Sequence, residues 1–224
     1  MFSEKTFTFL AELEQNNQRD WFNQHKARYE DTVREPALAF IRQMQAPISA
    51  ISSHFVASDK KVGGSLMRIQ RDARFSKDKS PYKMNIGIQF RHFLGKDVHA
   101  PGFYFHLSNR ECFVGAGIWR PDSKPLNKIR HCIDENPNSY KKAIFNSAFS
   151  DVFAMSGESL QRPPRGFEKE HPLLAELKRK DFIAISPLTK QQVCSEHLPE
   201  LVAERFNLAV PLMAYLCFAL EQPF

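Results

Sequence analysis

No Cys-x-x-Cys pair occurs among the four cysteines, Cys112, Cys132, Cys194 and Cys217. Neither a disulfide framework nor a paired-cysteine metal or redox motif is therefore written into the chain, and free thiols are expected. Long apolar runs are missing too. The longest, Leu208 to Leu220, has 13 residues and is broken by Pro211, which is too short for a bilayer span and reads as a buried helix. The start, Met1-Phe-Ser-Glu-Lys-Thr6, lacks the charged, apolar and small-residue succession of a secretory signal. With the scattered thiols, this predicts a cytoplasmic protein without a membrane partner.

Several catalytic signatures are absent as well. None of the eight histidines sits in a His-Glu-x-x-His or Cys-paired spacing, so no metal is expected. Gly115-x-Gly117 has no third glycine and leads to Trp119 and Pro121 rather than into a helix, which speaks against a dinucleotide fingerprint. No Walker-type phosphate loop and no Gly-x-Ser-x-Gly elbow occurs, and no cofactor is predicted. Fixed-period repeats, low-complexity tracts and long linkers are also lacking, so residues 1–224 are expected to form one domain.

What is present is an ordinary globular composition, 42% hydrophobic and 25% charged, with a net charge of +6 concentrated in one place. Between Arg68 and Lys83 lie six basic residues, Arg68, Arg71, Arg74, Lys77, Lys79 and Lys83, against Asp72 and Asp78 alone. One dense block of this kind signals either a local anion site or a local ion-pair network. Arginine offers planar, bidentate contact to phosphate or carboxylate, and lysine adds a mobile point charge. Asp72 and Asp78 either orient guanidinium groups around a pocket or close them into a structural lattice. Ser76 and Ser80-Pro81 read as turn residues, with Lys77 to Lys79 at a loop tip.

Periodicity places helices at both ends and strands between. Ser3 is positioned to cap a helix turning Phe7, Leu10 and Leu13 inward, stopped by Asn16-Asn17. Asp20 then opens a helix carrying Trp21, Phe22 and Tyr29. Pro36 opens a third with Leu38, Ile41 and Met44 on one face, and Pro47 is expected to kink or split it. Tyr82 to Arg91 alternates with period two, as do Phe103 to Leu107 and Cys112 to Trp119, the last two joined by a hairpin turn centred on Asn109 and Arg110. Leu66 to Phe75 is an expected earlier strand. Two helices flank Pro137, Arg162 to Phe167 is a proline-fixed loop, and a short helix over Pro172 to Lys180 precedes a strand at Phe182 to Ser186. A long amphipathic helix from about Pro199 closes the chain. The predicted class is α+β, an antiparallel meander packed by N-terminal and C-terminal helices.

With that turn, Leu107 faces Cys112, Phe105 faces Val114 and Phe103 faces Ala116, giving one apolar face. Parity then puts Tyr104, His106, Phe113, Gly115, Gly117 and Trp119 on the other. The neighbouring strand adds Lys83, Asn85, Gly87, Gln89 and Arg91, and the Leu66 strand adds Arg68 and Gln70. Two readings of this face are open: a second core under helices, or a ligand site in which glycines leave a hollow, rings stack and cations take negative charge. On the second reading Arg68, Arg71, Asp72, Arg74, Lys79, Tyr82, Lys83 and Trp119 are the candidate binding residues. His106 is the candidate general acid or base, with Tyr104 beside it. The expected partner is an anionic, phosphate-bearing small molecule; a nucleic acid is the alternative, since Phe75 and Tyr82 interleave with the cations. A third possibility is a purely structural ion-pair motif in a protein-interaction domain.

The stretch Arg68-x-x-Arg71-Asp72-x-Arg74-Phe75, followed by Asp78-Lys79-x-x-Tyr82, resembles the signature of the mostly bacterial domain of unknown function 2461, with no departure from its pattern. The likeness extends over nearly the whole chain, through Phe9-Leu10, Asn16-Asn17, Trp21-Phe22, Gly115-Ala-Gly117-Ile-Trp119-Arg-Pro121, Pro164-Arg-Gly166-Phe and His171-Pro172. The resemblance implies a shared fold and no particular activity, cofactor or partner.

Overall fold

The computed structural model describes residues 1–72, 74, 77–95 and 100–224; the positions assigned to Phe75 and Ser76 lie outside them. Helix α1 (Glu4–Gln15) begins where the Ser3 backbone N–H reaches Thr6 Oγ1 at 3.2 Å, and it ends at Asn16, as its capping residues dictate. The helix expected from Asp20 is instead two short ones, α2 (Arg19–Gln24) and α3 (Lys26–Tyr29). A π-helical turn, Glu30–Arg34, then runs directly into α4 (Glu35–Ile51). The Thr6 hydroxyl donates to the Thr32 carbonyl of that turn at 2.8 Å, giving a partner to a group the irregular winding would leave exposed. Pro47 does not split α4, which continues to Ile51 around the missing N–H.

The sheet has six strands among the described residues, ordered β1-β2-β3-β4-β6-β5 and antiparallel throughout. They are β1 (Phe55–Val56), β2 (Asn85–His92), β3 (Gly102–Ser108), β4 (Cys112–Ile118), β5 (Ala154–Ser156) and β6 (Phe182–Leu188). The β3–β4 register pairs Leu107 with Cys112, Phe105 with Val114 and Phe103 with Ala116, as the hairpin turn requires. The described residues of the expected Leu66 to Phe75 strand form none. They touch β2 at an isolated bridge of Leu66 with Ile88, and Gln70 bridges Tyr82, so β2 begins three residues later than periodicity suggests.

Between β4 and β5 lie α5 (Ser123–Glu135) and α6 (Pro137–Ile144), divided at Pro137, and the single turn α7 (Ser147–Ser150). The short helix is only α8 (Leu174–Leu177), and the one-turn α9 (Lys190–Val193) follows β6. The closing helix is broken: α10 (Leu198–Leu208) and α11 (Val210–Ala219) meet at 52° beside Pro211. No single helix among the described residues is long and apolar enough to cross a membrane, and the apolar α11 is core, with Leu212, Met213, Leu216 and Cys217 buried. All four cysteines are free.

Helices from both ends cover the same sheet face. Phe40 of α4 meets Phe90 and Phe105, Phe206 of α10 meets Phe90 and Phe103, and Phe2 stacks on Phe105 with centroids 5.7 Å apart. These rings form the aromatic heart of the core. The opposite face is left to β-strand side chains and the connecting loops, and there the candidate site lies.

Candidate functional site

A cavity of about 520 Å³ opens on the uncovered face, with Tyr104, His106, Phe113, Gly115, Gly117 and Trp119 on its wall. Strand pairing sets the floor. Gln89, Tyr104, Gly115 and Ile185 stand abreast on β2, β3, β4 and β6, and Gly102, Gly117, Ile183 and Ser156 form the next row toward Trp119. Neighbouring glycines on adjacent strands produce the hollow. A Cβ on Gly115 would meet the Ala184 carbonyl at 3.5 Å and Ile185 and Tyr104 carbons at 3.9 Å, ordinary van der Waals contacts, so a first carbon fits there without a clash.

Gly87 serves a different purpose. Any Cβ there would fall 2.7 Å from Tyr104 Oη and 2.9 Å from Met67 Sδ, so its absence lets the tyrosine lean across β2. The Tyr104 hydroxyl thereby lies 3.2 Å from His106 Nδ1. The imidazole is stacked on Phe113 with ring centroids 4.6 Å apart and an interplanar angle of 6°. Burial pushes the Tyr104 hydroxyl up to about 12 and holds His106 below the ordinary histidine value, against a smaller opposing pull from Glu111. Both are accordingly neutral near pH 7.

Lys83 reaches this wall through a chain of constraints that begins in α1 and α2. The Asn17 amide pairs with the backbone of Tyr82 in both directions, donating to its carbonyl at 3.0 Å and accepting from its N–H at 3.1 Å. Tyr82 stacks on Phe22 with centroids 4.1 Å apart and is buried on the core side. Its neighbour Lys83 is thus turned to the other face, where it lines both the main cavity and an adjoining groove of about 410 Å³. Asn85 and His106 are shared by the two spaces, and Arg71 and Arg110 border the groove. Half-buried, the Lys83 amine is depressed by desolvation and, to a smaller extent, by the positive charge of Arg68. Among the described residues its ammonium has no hydrogen-bond or ion-pair partner.

The remaining predicted residues do not all converge here. Asp72 grips Arg74 with two hydrogen bonds of 2.9 and 2.7 Å, and this pair is exposed; the guanidinium holds the carboxyl down at about 2. Arg71 is bound to Asp78 and, at 3.2 Å, to Ser80 Oγ. Lys79 Nζ lies near the Arg74 carbonyl, away from the cavity. Arg68 is exposed, and its expected place on the face is taken by Met67, because the chain from Leu66 is not a regular strand. Tyr82 is sealed against Phe22 and has no free face for a ligand. Trp119, 44% exposed, lines the cavity and lies 4.9 Å beneath the Arg120 guanidinium.

Met67, Gly102, Glu111, Ile183, Ile185 and Ser156 also line the cavity and were not anticipated as site residues. For the two isoleucines a signal existed: Phe182, Ala184 and Ser186 alternate with them, so one face of β6 had to carry both. Which face that was depended on the partner strand.

The family model described as conserved hypothetical protein (DUF2461) matches residues 5–215. The chain belongs to the DUF2461 family. No curated protein and no solved structure matches it. Within this DUF2461 chain the arginine signature separates into two parts: Asp72, Arg74, Asp78 and Arg71 are mutually paired, whereas Tyr82 sets the position from which Lys83 enters the cavity.

Proposed function

We propose that this DUF2461 protein binds a small anionic, phosphate-bearing molecule whose planar or apolar body lies on the sheet face and whose negative group faces Lys83. The observation that carries the reading is the half-buried Lys83 ammonium, without a counter-ion among the described residues, at the junction of an apolar hollow and a groove bordered by Arg71 and Arg110. An uncompensated cation at such depth is costly, and an anionic ligand offsets that cost. Phe113, Ile183, Ile185 and Trp119 supply apolar and stacking surface for the body. The neutral Tyr104–His106 pair is the proton-exchanging group of this site, able to donate to a ligand oxygen or accept from it.

A low-salt thermal-shift and calorimetric series tests this with phenyl phosphate, nucleoside monophosphates, benzyl alcohol and short single-stranded DNA. An aromatic phosphate at one hundred times its dissociation constant is expected to stabilise the fold by roughly 2.7 kcal/mol. Benzyl alcohol, lacking the charge, is expected to do far less. Lys83→Met should abolish the phosphate effect, Arg71→Ala weaken it and Arg74→Ala leave it unchanged. No response to any small phosphate would overturn the reading in favour of the ion-pair role. Binding confined to DNA, with a steep fall against log salt, would replace it with the nucleic-acid reading.

A further inference from the structure

We propose that Lys83 is a carbonyl-reactive amine that forms an imine with an aldehyde or ketone carrying an anionic group in the same molecule. The inference rests on the anion-binding reading of the cavity and shifts the ligand along it, so that the carbonyl meets Lys83 and the anionic group lies further into the adjoining groove. Three features support it. Lys83 lines both the apolar hollow and the adjoining groove, where Arg110 is paired with Glu14 and Arg71 with Asp78, so a ligand that spans them passes its amine. Among the described residues no carboxylate is paired with it to hold a proton on the nitrogen, and its charged neighbour is the like-signed Arg68. Lysine amines become nucleophiles in this setting, desolvated and beside another cation.

The step balances without a further reagent. The uncharged Lys83 Nζ attacks the carbonyl carbon, forming the C–N bond as the carbonyl π pair moves to oxygen. Nitrogen then gives up its two protons, oxygen takes both and leaves as water, and the C=N bond remains. Tyr104 and His106, hydrogen-bonded on the same cavity wall, are the groups that carry protons between nitrogen and oxygen. Phe113, Ile183 and Ile185 give the step an apolar wall on the same cavity. The substrate class is thereby narrowed to oxo-compounds bearing a phosphate or carboxylate.

The experiment is reductive trapping. The full chain is incubated at neutral pH with pyridoxal 5′-phosphate as probe, reduced with borohydride, and mapped by peptide mass spectrometry. Lys83 is expected to carry on the order of tenfold more label than the exposed Lys60 and Lys169, because binding raises the local aldehyde concentration. Pyridoxine 5′-phosphate, which has the ring and phosphate but no aldehyde, should compete and remove the excess. Lys83→Arg should eliminate the labelled peptide while its melting midpoint reports folding. Should that variant not fold, the wild-type map still decides, since it reads position directly. Label on Lys83 no higher than on Lys60 and Lys169 overturns the imine. If calorimetry then shows pyridoxine 5′-phosphate bound, the anion reading survives alone; if it shows none, both fall.

Discussion

On β3, Phe103, Phe105 and Leu107 are sealed beneath helices, whereas Tyr104 and His106, each one residue away, stand on the wall of a cavity. Both faces arise from one alternation, and what separates them is the covering layer. Helices from both chain ends converge on the first face, filling it with phenyl rings at 4.8 to 6.5 Å centroid spacing. The second carries a mixed lining of Phe113, Trp119, Ile183 and Ile185 with Tyr104, His106 and Lys83 around a cavity. The comparison teaches that stability and chemistry can be assigned to alternate residues of one strand with little interference.

The sharpest way to break this division is a deletion on the sealed face. Phe105→Ala removes a ring packed between Phe2 and Phe40 and should cost about 3 to 5 kcal/mol in chemical denaturation, the usual range for a buried phenylalanine. A smaller loss is expected at the tether between the two regions. Asn17→Ala deletes both side-chain hydrogen bonds to Tyr82 and should cost about 1 to 3 kcal/mol. Because it also releases the Lys83 segment, it should weaken phosphate binding at a temperature where the variant is fully folded.

The two faces can also be compared through their histidines. His92, on the sealed face, donates from Nε2 to the Pro223 carbonyl at 2.8 Å and accepts at Nδ1 from Leu94 N–H at 3.2 Å. Desolvation is the leading reason that both His92 and His106 are depressed below the ordinary value. The unfolded chain therefore takes up these protons first, so stability should fall as pH drops below about 6.5 and stop falling once the folded-state values are passed. An NMR titration separates them: saturating phenyl phosphate should raise the His106 midpoint, since an anion favours the imidazolium, and leave His92 unmoved. The smallest stability change is predicted for Gly115→Val, whose Cβ would make only ordinary van der Waals contacts, on a strand that favours β-branched residues. It should alter stability by less than about 1 kcal/mol and yet abolish ligand binding by filling the hollow.

Much of this arrangement was legible because β-structure has a period of two. The hairpin turn at Asn109-Arg110 implied the β3–β4 register, and parity alone gathered Tyr104, His106, Phe113, Gly115, Gly117 and Trp119 with Lys83 on one face. Sequence reasoning went astray where the backbone departs from a regular element. Among the described residues the segment from Leu66 makes isolated bridges rather than a strand, and Met67 rather than Arg68 lines the cavity. Tyr82 looked available for stacking because its alternation carried no information about Phe22, sixty residues earlier in the chain. The density of charge between Arg68 and Lys83 was equally ambiguous, since a run of arginines reads alike whether its carboxylates are partners or bystanders.

The sequence by itself determined the α+β class, the hairpin and its two faces, because turn chemistry and hydrophobic alternation are local properties that survive in any context. Only the tertiary structure decided which face would be covered, since that depends on where helices from opposite ends of the chain dock. It also decided which cations would be neutralised: Arg71 and Arg74 found aspartates within a few residues, while Lys83 was turned by the Asn17–Tyr82 tether into a hollow where, among the described residues, no carboxylate pairs with it. Ion pairing is a matter of distance and burial in space, and those are set by packing between segments that the linear order keeps far apart.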